Sequence, residues 1–230
     1  MLQNGTTILP LLIYSRFSYV SYGQCPHIRW DSVEQWSPTL FLVGGGLLVG
    51  HVAMSAVHAF TAVTTPPDAF VTTGHFVALV GLLGLYPVLA NGTRRLAQAA
   101  GAACAVALVS WFVMAVTRFF ELAGIVSSLG DALPEPFFIV VLASTILTYV
   151  LFGVATLRVD SSRTVGLLVL VPGLLTAALV VDSALTGVSA LDGVFIGGGL
   201  ALSMLALGYT LRTWDRPTDY AATAGDVTPG

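Results

Sequence analysis

Six stretches of this chain carry at most one Asp, Glu, Lys or Arg each: Pro38 to Val63, Ala69 to Ala90, Leu96 to Phe120, Pro136 to Leu157, Thr164 to Ala184 and Ser189 to Leu211. A bilayer core of ~30 Å is crossed by ~20 apolar residues in a helix, so each stretch is long enough to span. None shows the period of two that a barrel strand requires. The chain between them is punctuated by TTPP, NGTRR, PEP, DSSR and TG, where helices stop and turns begin. The fold expected is therefore all-α, a polytopic transmembrane bundle of six membrane-spanning helices. Composition agrees: charged residues make up 9% of the 230 against ~25% in an ordinary soluble domain, and mean hydropathy is +0.87. A chain this small has no single core able to hide so much apolar surface from water.

Arginine placement gives the expected orientation, because basic residues are retained on the cytoplasmic side. With six spans, the N-terminal arm, the second and fourth loops and the C-terminal tail share one side. They hold Arg16, Arg29, Arg94, Arg95, Arg158, Arg163, Arg212 and Arg216, while the opposite side has Arg118. Both termini are expected in the cytoplasm, and the sequons at Asn4 and Asn91 would then go unused. Residues 1–37 read as an interfacial or disordered arm rich in Tyr and Trp, residues 38–212 as the transmembrane domain, and residues 213–230 as a disordered cytoplasmic tail. The apolar run from Ile8 to Tyr14 is too short to span and lacks the preceding basic residue of a secretory signal. A formal charge of −3, spread over both sides, offers no basic surface to nucleic acid. Cys25 and Cys104 lack any CxxC or Cys-His metal spacing.

Ionisable groups inside a membrane are functional candidates once those with a structural task are set aside. Asp68 follows two prolines at the start of the second span. Glu135 lies between prolines at the start of the fourth, and Ser189 with Asp192 forms a capping box for the sixth. Each places a carboxylate where helix N–H groups and the dipole favour it. Asp131 reads as a loop acid. His58, His75, Arg118, Glu121 and Asp182 remain, all in the outer third of the bundle. His51 and His58 are seven apart, and so share one face of the first helix. Arg118 and Glu121 are i, i+3 neighbours able to pair, and Asp182 stands near a helix C-terminus, where the dipole opposes it.

These residues point to an outward-facing pocket for a small polar solute or ion. The competing reading is an intramembrane metal-binding or redox protein, with His51, His58 and His75 as ligands to a metal ion or haem and Glu121 or Asp182 in support. Histidines on adjacent antiparallel helices suit one metal ion better than the two faces of a haem. A third reading is a structural bundle whose histidines are satisfied by nearby hydroxyls. No zinc-protease, nucleophile-elbow, P-loop or dinucleotide motif occurs, and without lysine no retinal Schiff base can form. Gly46 with Gly50, and Gly193 with Gly197, are small-xxx-small pairs suited to internal packing or to an oligomer. Pro87 and Pro172 fall within spans and are expected to kink them.

Lacking lysine, with Arg- and Thr-rich inner loops and an acidic tail, the chain resembles the small polytopic membrane proteins of halophilic archaea. The resemblance is compositional, covers the whole chain and implies no activity. The sequence therefore leads to a multi-pass protein of the cell membrane, surrounded by lipid, non-enzymatic and transporter-like, sensory or accessory in character.

Overall fold

The computed structural model describes residues 30–61, 69–128, 132–159, 163–186 and 190–213, leaving aside the side chains of 30–34, 58–60, 186 and 190–193. The N-terminal arm up to residue 29, the tail from 214 on, Asp68, Asp131 and Ser189 lie outside this description. Seven helices are present among the described residues: α1 (Trp30–Phe60), α2 (Ala69–Leu83), α3 (Tyr86–Gly92), α4 (Arg94–Leu122), α5 (Glu135–Arg158), α6 (Arg163–Thr186) and α7 (Ala190–Thr213). Five of them, α1, α4, α5, α6 and α7, are long and apolar enough to cross a membrane. The pair α2 and α3 passes the same test jointly, bent by 43°.

The helices are apolar on every side, as expected where lipid rather than water is the outer solvent. Leu185, Phe195, Ile139 and Leu202 stand more than two-thirds exposed on α5, α6 and α7. Inward, Phe41, Leu48, Leu79, Tyr149, Phe152 and Met204 are fully buried. The principal contacts run in order around a closed ring: α1 on α2, α2 on α4, α4 on α5, α5 on α6, α6 on α7, and α7 back on α1. Each helix thus packs on its neighbours in sequence, and the α1–α7 contact closes the circle.

Lipid tails are as apolar as leucine, so packing and polar contacts rather than water exclusion must hold this ring together. Glycines let backbones approach at several joints. A Cβ on Gly44 would come within 2.9 Å of the Gly74 carbonyl on α2, and one on Gly208 within 2.9 Å of the Pro38 carbonyl on α1. At the α5–α6 joint, a Cβ on Gly153 would meet Leu170 at 2.5 Å. Of the expected small-residue pairs, Gly50 lies against Phe70 and Gly197 against Val52 and His51, whereas Gly46 has open space beside it.

The second expected span is broken rather than continuous. Gly84 and Leu85 donate to the carbonyls of Gly81 and Leu82, a tightened turn, and Pro87 then sits in the first turn of α3. Proline has no N–H for the helical ladder, which accounts for the bend. A break within a membrane helix frees carbonyls that need partners. The Gly81 carbonyl, already accepting from Gly84, also accepts from the buried Ser37 hydroxyl at 2.8 Å, which ties the break to α1. Pro172 lies inside α6 without dividing it. The first helix begins earlier than expected, at Trp30, and carries Pro38 within it.

At its far end α4 stops in a Schellman turn. Gly124 adopts φ +71°, its N–H donates to Glu121 O, and Ile125 N–H donates to Phe120 O. Only glycine takes that backbone conformation without strain. Glu135 opens α5 and Arg158 closes it, both matched in sign to the helix dipole.

Candidate functional site

Most hydroxyls within the helices are satisfied at home. Ser110, Thr117, Thr148, Thr156, Thr176 and Ser183 each donate to the carbonyl four residues earlier. Such back-bonding is the routine state of Ser and Thr in a helix. The polar groups of interest are those reaching between helices.

Three helices are joined in this way. The His75 ring of α2 is 4% exposed and stacks on Trp111 of α4, centroids 4.5 Å apart and planes inclined by 22°. Trp111 Nε1–H donates to Thr145 Oγ1 of α5 at 2.8 Å, and Thr145 in turn donates to Val141 O at 2.6 Å. Deeper in the bundle α2 and α4 meet again through a polar contact. Leu79 O, four residues after His75, accepts from Cys104 Sγ at 3.6 Å, and Cys104 lies seven residues before Trp111. Tyr149, four residues after Thr145, is fully buried on the same side of α5. Spacings of four and seven return to one helix face, so Cys104 and Tyr149 continue the faces that carry Trp111 and Thr145.

Two atoms on these faces have no hydrogen-bond partner: His75 Nδ1 and the Tyr149 hydroxyl. A buried polar group left unsatisfied costs about 1–3 kcal/mol, and in native proteins such groups usually mark water, an ion or a functional site. His75 belongs to the layer that Trp111 and Thr145 bridge, and Tyr149 lies one turn of α5 beyond it.

The residues singled out from the sequence are distributed around the ring. Arg118 and Glu121 pair across one turn of α4, Nη1 to Oε2 at 2.6 Å, with side chains 18% and 17% exposed. Asp182 is half-buried near the end of α6, which packs mainly on α5 and α7. His51 meets its own helix through Ser55 Oγ at 3.5 Å, and its ring edge lies beside Gly197 of α7. The side chain of His58 lies outside the described residues. Among those residues, no group of three or more His, Cys, Asp or Glu is gathered as metal ligands.

Trp111, Thr145 and Tyr149 were not singled out by the sequence. A signal was nonetheless present, since Trp and Tyr favour the membrane interfaces and both stand here far from the ends of their helices.

No protein-family model matches the chain, and neither a curated protein nor a solved structure matches it.

Proposed function

We infer that this chain is a six-span, non-enzymatic membrane subunit, transporter-like or sensory, with both termini in the cytoplasm. Its polar site takes up a proton or a small polar solute at His75. The observation carrying this reading is the unpartnered Nδ1 of His75, held against Trp111 within a polar layer that three helices share. Protonation of an imidazole adds a positive charge, and a charge there bears directly on the stacked indole. The Arg118–Glu121 pair, two turns along α4 from Trp111, supplies the outer charge of the same pocket, whereas Asp182 belongs to α6, which packs on α5 and α7. The bent pair α2 and α3 counts as one span, and the arginine distribution supports the orientation. Self-association belongs to this reading through the open face at Gly46.

Tryptophan emission of the full chain in lipid nanodiscs tests it. Acidification is expected to change emission reversibly in the wild-type protein and to leave His75→Gln and Trp111→Phe without that component. An equal response in wild type and His75→Gln would sink the proposal.

A further inference from the structure

The opposite end of the bundle carries a second polar site. A cleft of about 550 Å³ opens where the start of α4 meets the end of α5, lined by Thr93, Arg94, Arg95, Leu96, Ala99 and Arg158. A Cβ on Gly92 would come within 2.8 Å of Val159 Cγ2. That close contact holds the end of α3, and with it Arg94 and Arg95, beside Arg158.

Arg158 has an ordinary task, since a cation at a helix C-terminus complements the dipole. Arg94 and Arg95 have the reverse. They occupy the first turn of α4, which contains no acid, and Thr93 makes no side-chain cap there. Two cations thus face the positive end of a helix whose first N–H groups have no capping side chain. None of the three guanidiniums pairs with a carboxylate among the described residues.

We propose that this cleft binds the phosphate of an anionic phospholipid. Guanidinium groups fork onto phosphate oxygens, and helix N-termini accept the same group. The wall formed by Leu96 and Ala99 continues from the charges onto the apolar body of α4, which fits a headgroup joined to a glyceride better than a free ion. Basic recesses between membrane helices at the cytoplasmic surface suit such lipids.

Native mass spectrometry of the full chain in detergent tests the assignment, with phosphatidylglycerol, phosphatidylcholine and inorganic phosphate added separately. Expected is one phosphatidylglycerol retained per chain in preference to phosphatidylcholine. Retention should weaken about fivefold for each arginine replaced by glutamine, and on the order of a hundredfold for the Arg94→Gln, Arg95→Gln, Arg158→Gln variant. Arg212→Gln, on α7, should retain lipid as the wild type does. Ala99→Trp, which obstructs the apolar wall of the cleft and keeps its charges, should also weaken retention, a check independent of the triple variant's folding. Undiminished retention by the triple variant or by Ala99→Trp overturns the site. Equal binding of phosphatidylcholine, or inorganic phosphate binding as tightly as the lipid, overturns the assignment to an anionic lipid.

Discussion

Gly208→Leu is expected to open the helix ring between α1 and α7 and to destabilise the protein by at least about 3 kcal/mol, the upper part of the range for overpacking. The new Cβ would stand 2.9 Å from the Pro38 carbonyl and 2.8 Å from Leu42 Cγ. A leucine side chain can turn away, but the Pro38 carbonyl belongs to the backbone and moves only with the helix. Gly45 is similarly occupied on the same joint, its Cβ position lying 2.9 Å from Leu205 Cγ, so sliding the helices cannot relieve the clash cheaply. Spin labels at the exposed Trp36 and Tyr209 positions should report a longer α1–α7 distance, and denaturant titration in mixed micelles should report the lost stability. Gly198→Leu is the matched control. It meets nothing within 4 Å and should change stability by no more than about 0.5 kcal/mol. Equal effects of the two substitutions would remove the close-approach account of the joint.

Trp111→Ala should lower stability by about 3 kcal/mol, the low end for a buried tryptophan, because lipid rather than water is the competing solvent. The indole stacks on His75 and donates to Thr145, so its loss separates α2, α4 and α5 together. Trp111→Phe keeps most of the ring and loses the N–H donor. Thr145 retains its own bond to Val141 O, so this change should remove only about 1 kcal/mol. The two variants, compared by thermal unfolding of the reconstituted protein, separate packing from hydrogen bonding. Similar losses for Phe and Ala would assign the residue's weight to the Thr145 contact instead.

The long apolar helices were legible in the sequence because length and lack of charge are enough to identify them. The break after Leu83 was partly legible, through Pro87, although its position also depends on the tightened turn at Gly84 and Leu85. The early start of α1 was not, since Trp30 to Ser37 is polar and includes Asp31 and Glu34. Within the site, the Arg118–Glu121 contact followed from their spacing on one helix. The stacking of His75 on Trp111 did not. It depends on how α2 and α4 are rotated about their axes, and helices apolar all round carry almost no pattern that sets rotation. Asp182 was grouped with His75 by depth alone, and depth does not specify which helices become neighbours.

Closure of the ring through neighbours in sequence also bears on how the chain enters a membrane. A helix leaving the insertion machinery meets its main partner among those already delivered, so α2 can dock on α1, α4 on α2, and so on without waiting. The joint between α1 and α7 alone keeps an early helix waiting for the last one. Until then α1, with the smallest buried share of the five long helices, holds its inner face toward lipid or toward whatever escorts the nascent chain. The interval between the emergence of α1 and of α7 is therefore when this protein is most open to capture or degradation.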